Sequence, residues 1–350
     1  MNEKKQGTSI GRAESCANIA LAKYWGKSDR GDNLTAVPSL SLTLDALRSR
    51  TEVRLDEGLA VDRLQLGGRD VVGRPLSRVV ELLDRMRALC GEERRAQVTS
   101  INNFPTAAGL ASSASGFAAL ALASCQSMQL SLDAGQISSE ARKSSASAAR
   151  SLFGGFSILE AEAAEAEALY PPQHWDVAMV VAVVASSEKA IGSTGGMIHT
   201  KSTSPYYSAW EQVSTDCYQA VKSGVAERDF AKVADAMEHS TRLMHATMMT
   251  ARPPVLYLAG PTVELMHEIA ALRAAGEPVG YTMDAGPNVK VFTLGSHVKK
   301  VEQMLRAFPG IASTIVCRPG PAACPLELEG ELEQAGRGDG WTLGVGAFAS

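Results

Sequence analysis

Cysteine pairs of the kind that hold zinc or form a redox centre are missing from this sequence. Its six cysteines are scattered along 350 residues without a CxxC pair. We therefore expect free thiols in a reducing cytoplasm, and neither a disulfide framework nor a zinc site. No HExxH is present, and the six-residue spacing of His239 and His245 does not place two ligands on one helical face. The histidines are expected to be ordinary surface or half-buried residues.

A basic surplus and a long apolar span are also absent. The net charge of -4 argues against a nucleic-acid partner, although local backbone N–H groups can still bind an anionic small molecule. Residues 103–132 contain no charged side chain, but alanine, serine and glycine dominate them, so we expect a buried loop and helix and no membrane span. The polar residues 1–11 lack the apolar core of a secretory signal. These absences favour a cytoplasmic protein without a membrane or nucleic-acid partner.

Hydrophobic periodicity predicts a mixture of strands and helices. Alternation at 39–45 and 51–56 predicts half-buried strands, and the valine-rich run 177–185 predicts a strand buried on both faces. Apolar stripes predict helices at 75–89, 208–221, 228–248 and 262–275, and further strands are expected at 98–104, 289–294 and 313–317. We expect an α+β fold with two domains, 1–187 and 188–350, of which 319–350 is a poorly defined tail.

A loop of small residues at 103–116 is the first of four segments suited to binding anions. It follows a predicted strand and leads into a helix among serines. Helix N-termini carry unpaired N–H groups and a partial positive charge, which suits phosphate. The segment matches neither the Walker A pattern nor GxGxxG. A tight turn before an alanine-rich core helix explains the same residues equally well.

The other three segments each combine charge with hydrogen-bonding side chains. Residues 141–155 place serines between arginines, which suits carboxylate or phosphate, but a solvated helix end is the more usual explanation. Residues 17–27 carry two lysines around a Tyr-Trp pair, a pattern that an amphipathic edge strand also produces. Residues 282–288 hold one aspartate in a turn, where such a side chain usually bonds to its own backbone.

Together and in chain order, these segments resemble the signatures of a known family. ANIALAKYWGK, NNFPTAAGLASSASGFA, ARKSSASAARSLFGG and YTMDAGPNVKV look like motifs of the GHMP superfamily of small-molecule kinases and, within it, of the diphosphomevalonate decarboxylases. Weaker matches are VPSLSLTLD, GSTGGM and MHATMMTARPP, so the resemblance covers roughly residues 12–318. It implies a GHMP-kinase-like two-domain α+β fold with the active site in the cleft between domains. It also implies ATP and Mg²⁺ as cofactors and a homodimer.

The resemblance implies a role for each matching residue. Asp284 would act as the base or orienting group for attack of the substrate's 3-hydroxyl on the ATP γ-phosphate, with Lys23 beside it. Asn18 and Arg150 would hold the substrate carboxylate, and Arg150 would count among the catalytic residues. The 5-diphosphate would be bound by Tyr24, Lys27, Ser145, Ser147 and Ser193. The ATP phosphates would be wrapped by Pro105, Ala108, Gly109, Leu110, Ala111, Ser112, Ser113 and Ser115, with Ser112 as the magnesium contact.

The implied reaction is ATP-dependent decarboxylation of 5-diphosphomevalonate to isopentenyl diphosphate, with release of ADP, phosphate and CO₂. The sequence departs from the family at one place: Ser144 and Ala146 stand where the family usually has glycines. Side chains there are costly if the backbone has positive φ. A phosphomevalonate decarboxylase or mevalonate 3-kinase of the same fold is therefore an alternative. A catalytically silent GHMP-fold binding protein is another, although the presence of Asp284, Lys23 and Arg150 argues against it.

Overall fold

The computed structural model describes residues 9–104, 112–184 and 191–327. Within these residues the strands form one eight-stranded and one four-stranded sheet, with helices packed around them. The strands are β1 (Ser9–Ala22), β2 (Ser39–Asp56), β3 (Arg63–Leu66), β4 (Arg69–Asp70), β5 (Arg95–Asn102), β6 (Phe156–Leu159), β7 (Glu167–Tyr170), β8 (Val177–Val184), β9 (Val279–Thr282), β10 (Val289–Leu294), β11 (Ile311–Cys317) and β12 (Cys324–Pro325). The helices are α1 (Arg74–Cys90), α2 (Ser112–Ser127), α3 (Ala134–Ser144), α4 (Ser193–Thr203), α5 (Tyr207–Glu227), α6 (Phe230–Met249), α7 (Gly260–Ala274) and α8 (Val298–Ala307).

The larger sheet is built around two long strands. Its order is β12-β1-β2-β5-β3-β4, with β6 pairing β2 and β7, and all pairs are antiparallel except β3 with β5. The predicted strands 39–45 and 51–56 are wrong as separate elements, because β2 continues through residues 46–50. That stretch stays extended because β2 pairs along its length with β1, from Ser9↔Leu55 to Ala22↔Leu40, and the irregularities in this pairing are register shifts. Residues 17–22 pair with β2 on one side, whereas β12 contacts β1 at Ala13 and Glu14, so the edge position is consistent with the described strands. The amphipathic part of that interpretation is wrong, because residues 17–22 are all buried.

The smaller sheet has the order β11-β8-β10-β9 and is antiparallel throughout. Strand β8 is the predicted valine-rich strand, and all but one of its residues are buried, as expected of a strand covered on both faces. It precedes residue 187, where we expected the domain boundary, yet it pairs with strands that follow residue 288. The predicted boundary at residue 187 lies outside the described part of the chain and stays a prediction.

The helices follow the predicted apolar stripes with small shifts at their ends. Helices α1, α5, α6 and α7 correspond to the predictions at 75–89, 208–221, 228–248 and 262–275. Helices α3, α4 and α8 were not predicted from the sequence. Helix α3 is rich in serine and charge and begins with a capping box, in which the Asp133 side chain accepts from the Gln136 backbone and the Gln136 side chain accepts from Asp133. No helix in the described ranges is long and apolar enough to cross a membrane.

One hydrophobic cluster joins the two sheets. It contains Ile19 of β1, Leu42 of β2, Val181 of β8, Val221 of α5 and Met237 of α6. Because both sheets pack into this shared core, the ends of β1 and β9 come to lie beside each other. Regular structure continues past residue 318, since Ala13 and Glu14 of β1 pair with β12. Residues 328–350 lie outside the described part of the chain.

Candidate active site

An aspartate from the smaller sheet meets a lysine from the larger one. Lys23 follows the end of β1, and Asp284 lies two residues after the end of β9. The Lys23 Nζ lies 2.6 Å from Asp284 Oδ1, and the Lys290 Nζ of β10 lies 3.3 Å from Asp284 Oδ2. Both lysines are buried, whereas the Asp284 side chain keeps 25% of its surface exposed. One carboxylate is therefore held at both oxygens and is still partly exposed.

The charges of this cluster determine its protonation. Burial alone raises the pKa of Asp284, but the ammonium groups of Lys23 and Lys290 outweigh it and hold that pKa well below its usual range. Burial lowers the pKa of Lys23 to about 8, and the nearby Asp284 opposes this change. At neutral pH the aspartate is thus ionised, while Lys23 is protonated but close to its titration range.

The lowered pKa of Lys23 predicts a pH dependence. If activity needs protonated Lys23, kcat/KM is full below its pKa and falls as the pH rises through about 8. Asp284 causes no loss of kcat/KM at mildly acidic pH, because its lowered pKa keeps it ionised there. We expect this alkaline fall in a profile from about pH 6 to about pH 10. A Lys23→Arg variant, whose guanidinium stays charged, should lose the fall even if its activity is lower; an unchanged profile would assign the titration to another group.

Arg150 is a buried cation bordered by hydroxyls. It belongs to the 3₁₀ segment Ala146–Leu152 and is 1% exposed. Its Nε donates to Ser41 Oγ at 2.6 Å and its Nη1 to Ser39 Oγ at 2.6 Å, and Asn18 Oδ1 lies 3.4 Å from Nε. Asn18 donates to Ser151 Oγ at 2.8 Å. Burial lowers the pKa of Arg150 to about 10, which still leaves it charged at neutral pH.

The charge of Arg150 lacks a matching carboxylate. Within the described ranges its hydrogen-bond partners are uncharged and no aspartate or glutamate lies at ion-pair distance, so Asp284 acts on it only from further away. A buried cation without a paired anion is costly. An anionic ligand would supply the missing charge.

Three residues of the site were not predicted from the sequence. Ser39 and Ser41 were missed because the alternation of β2 predicted an exposed polar face, whereas both are 0% exposed. Lys290 was missed as well, although a lysine inside an apolar strand is the signal that could have found it.

The predicted diphosphate-binding residues lie around Arg150. The Arg150 Cζ stands 5.8 Å from the Tyr24 ring centroid, and Lys27 Nζ lies 3.3 Å from the Tyr24 hydroxyl. Ser145 Oγ and Ser147 Oγ are 3.2 Å apart, and the Ser147 carbonyl accepts from the Asn18 amide at 2.9 Å. The structure therefore brings four of the five predicted residues into one polar region.

Ser193, the fifth, is the first residue of α4. This helix packs against the same segment, since a Cβ on Gly196 would lie 3.1 Å from the Trp25 ring and Lys201 Nζ donates to the Lys27 carbonyl at 3.0 Å. Among the described residues, no hydrogen bond connects Ser193 with the other predicted site residues. Its role stays a prediction.

The two side chains that replace the family's glycines cause no backbone strain. Neither Ser144 nor Ala146 has a positive φ. The Ser144 hydroxyl accepts from Arg85 Nη2 at 2.8 Å, and its carbonyl accepts from Arg78 Nη2 at 2.8 Å. Ala146 is buried. The backbone strain expected of side chains at positive φ is therefore absent at both positions, and Ser144 contacts α1 through Arg85.

Helix α2 begins where the ATP phosphates were predicted to bind. Ser112 and Ser113 are half-buried in its first turn, which contains no acidic residue to repel phosphate. Ser115 is fully buried, and its hydroxyl lies 2.7 Å from Ser49 Oγ. The described residues contain no group of three or more His, Cys, Asp or Glu side chains that could hold a metal ion. The remaining predicted ATP contacts lie outside the described residues: Pro105, Ala108, Gly109, Leu110 and Ala111.

Family comparisons cover almost the whole chain. A family model described as the diphosphomevalonate decarboxylase-like N-terminal domain matches residues 15–169. A second, the mevalonate 5-diphosphate decarboxylase C-terminal domain, matches residues 179–334, which extends past the expected limit at 318. The diphosphomevalonate decarboxylase of Homo sapiens is 33% identical over 91% of this chain and 85% of its own length. The diphosphomevalonate decarboxylase of Candida albicans is 33% identical over 82% of this chain and 85% of its own length.

Comparison with solved structures points to the same family. A mevalonate diphosphate decarboxylase from Staphylococcus aureus is similar with a TM-score of 0.87 and 32% identity, over 93% of this chain and 100% of that one. A structure named MDDEF in complex with MVAPP, AMPPCP and magnesium has a TM-score of 0.86 and 34% identity, over 92% and 100%. The expected GHMP-kinase-like α+β fold is confirmed. On these grounds, the chain belongs to the diphosphomevalonate decarboxylase family.

Proposed function

We propose that this chain catalyses the ATP-dependent decarboxylation of 5-diphosphomevalonate to isopentenyl diphosphate, releasing ADP, phosphate and CO₂. One observation carries the proposal, namely the placement of the charged side chains in the site. Asp284 is an ionised, partly exposed carboxylate that two buried lysines hold, and the buried Arg150 has a charge that can meet an anion. Relatives named for this activity support it.

Asp284 would accept a hydrogen bond from the substrate's 3-hydroxyl and aim it at the γ-phosphate of ATP. A carboxylate with so low a pKa accepts a proton weakly, so orientation explains its position better than strong base catalysis. Lys23 would offset the negative charge that develops nearby. Phosphorylation turns a poor leaving group into a good one. Departure of the phosphate at the 3-position builds positive charge at C3. The neighbouring carboxylate, held by Arg150 and Asn18, would then leave as CO₂.

We propose ATP and Mg²⁺ as the cofactors. The start of α2, with Ser112 and Ser113 and no acidic side chain in its first turn, fits the phosphates, and Ser112 would be the contact for Mg²⁺. Magnesium usually takes much of its ligand set from nucleotide phosphates and water, so the residues present fit it without a carboxylate cage. When bound, the ion would neutralise charge on the phosphates. The MDDEF structure contains MVAPP, AMPPCP and magnesium, which supports the same assignment.

We also propose that the protein is a cytoplasmic homodimer. All six cysteines are free thiols in the structure, which agrees with a reducing compartment. The dimer is inferred from the family resemblance alone. Measurement of the molar mass in solution by light scattering tests it, and a monomeric mass across concentrations would contradict it.

The test of the function is a paired assay with ATP and Mg²⁺. The protein is given 5-diphosphomevalonate or 5-phosphomevalonate, and ADP and CO₂ are followed together. Equal amounts of ADP and CO₂ from the diphosphate are expected. Turnover of the monophosphate alone would identify a phosphomevalonate decarboxylase, and ADP without CO₂, including from mevalonate itself, would identify a 3-kinase. ATP binding without hydrolysis with any of these compounds would indicate a silent binding protein.

The substrate preference should not depend on Ser144. Its hydroxyl is engaged by Arg85 on α1, so Ser144→Gly is expected to leave the ratio of diphosphate to monophosphate kcat/KM within about twofold of wild type. Ser147→Ala, which removes only a hydroxyl, should lower kcat/KM for the diphosphate by about tenfold through loss of a hydrogen bond to a charged group. A changed ratio in Ser144→Gly, with Ser147→Ala unchanged, would mean that Ser144 faces the substrate.

A further inference from the structure

Helix α6 carries a row of buried polar side chains within an otherwise apolar contact face. Glu238, Thr241 and His245 follow the spacing i, i+3, i+7, which places them on one side of the helix. They are 1%, 0% and 3% exposed. Burying such groups is costly unless each is hydrogen-bonded, so their partners indicate what the row does. All three residues lie in the predicted helix 228–248, and His245 was expected to be an ordinary surface or half-buried residue; that expectation is wrong, because the ring is buried.

The partners are three consecutive residues that lead to the catalytic carboxylate. Glu238 Oε1 accepts from the Tyr281 N–H at 3.2 Å, and Thr241 Oγ1 lies 2.9 Å from Thr282 Oγ1. The His245 ring makes a hydrogen bond with the Met283 backbone. Asp284 is the next residue. The helix thus contacts each residue of the segment 281–283 in turn.

The same helix also holds the other side of the ion pair. Ser240 Oγ accepts from the backbone N–H of Lys23 at 2.9 Å, and Ser240 is fully buried. Lys23 and Asp284 come from different sheets, so their 2.6 Å contact depends on an element that touches both segments. Helix α6 does so through adjacent positions.

His245 is the contact nearest to Asp284, and its chemistry suits the place. Its Nε2 has no hydrogen-bond partner among the described residues, so Nδ1 makes the bond to Met283. Burial, and the charge of Lys23 next, lower its pKa to about 3; Lys290 acts in the same direction and Asp284 in the opposite one. The ring stays neutral. It therefore provides a rigid hydrogen bond without adding a third cation beside Lys23 and Lys290.

We propose that His245 is a positioning residue, which fixes the turn at Met283 and thereby the direction of the Asp284 carboxylate relative to Lys23. Thr241 supports the preceding residue in the same way. The inference rests on the proposed function, because positioning is measured through turnover. It assigns no contact between His245 and the substrate.

The test uses two substitutions at one position and a neighbouring control. His245→Phe keeps a flat ring but removes the hydrogen bond, whereas His245→Asn places an amide near the position of Nδ1 and can restore it. Met248→Leu, one turn further along α6, is a volume-conserving change at a buried residue of the same helix. For each variant we would measure kcat, KM for both substrates, nucleotide affinity and the thermal midpoint.

We expect His245→Phe to lower kcat by about 10- to 100-fold, since a displacement of ~1 Å in a catalytic group has effects of this size. KM and nucleotide affinity should change by less than about threefold, His245→Asn should recover most of the loss, and Met248→Leu should resemble wild type. If His245→Phe does not fold, Thr241→Val, which removes the contact to Thr282, replaces it and should also lower kcat selectively.

Three results would overturn the proposal: unchanged kcat in a folded variant, equal loss of kcat and of nucleotide affinity, or failure of His245→Asn to exceed His245→Phe. Wild-type protein that turns over no mevalonate derivative is a separate outcome. It would contradict the proposed function, and it is distinguishable because it appears before any variant is made.

Discussion

Asp284→Asn is expected to lower kcat by roughly 10³-fold or more while the fold and nucleotide binding persist. The amide keeps the shape of the carboxylate but loses the charge that orients the hydroxyl and balances Lys23 and Lys290. Without that charge the pKa of Lys23, already lowered to about 8, should fall further, so that Lys23 gives up its proton at neutral pH. This deprotonation limits the cost of leaving two buried lysines unpaired. Steady-state kinetics of the variant measure the loss of kcat, and nucleotide titration measures whether nucleotide binding persists.

The matched control is Asp216→Asn, which makes the same substitution at an exposed position of α5. It should retain wild-type kcat. Circular dichroism separates loss of catalysis from loss of fold in Asp284→Asn. Near-normal turnover in that variant would remove Asp284 from its catalytic role, whatever the control does.

Arg150→Gln is expected to lower kcat/KM for the acid substrate by about 10²- to 10³-fold, with little change in nucleotide affinity. Its guanidinium is buried, bonded to Ser39 and Ser41, and has no carboxylate partner among the described residues, so its charge is available to the substrate carboxylate. Arg150→Lys keeps the charge but not the planar fork, and should fall between wild type and Arg150→Gln. Titration with substrate and with an ATP analogue separates the two affinities.

Arg142→Gln is the control for losing a buried arginine from the same segment. Arg142 bonds to the Asp32 and Ala164 carbonyls, each at 2.6 Å, and to the Asp32 carboxylate. Its substitution should lower the thermal midpoint without a selective loss of substrate affinity. Equal losses of substrate and nucleotide binding in Arg150→Gln would instead point to a structural role for Arg150.

Local pattern was enough for many of the regular elements and for the four motifs, although it missed three helices and divided β2 in two. The apolar stripes at 75–89 and 228–248 and the valine run at 177–185 predicted α1, α6 and β8, because burial of one face or of both leaves a periodic trace in neighbouring residues. Motif resemblance predicted the family and which residues carry charge into the site. It implied that Lys23 lies beside Asp284 and that Arg150 and Asn18 act together, without indicating how the chain brings them together.

The sequence by itself therefore determined the family, most elements and three charged residues of the site, Lys23, Arg150 and Asp284. Tertiary structure alone decided which buried side chains hold them. Lys290 neutralises Asp284, Ser39 faces Arg150, and His245 holds Met283 across 38 residues of chain. Periodicity reports whether a position is covered, but it does not report by which residue. A buried polar group is tolerated only through its partner, and that partner is chosen by how the two sheets and α6 pack together.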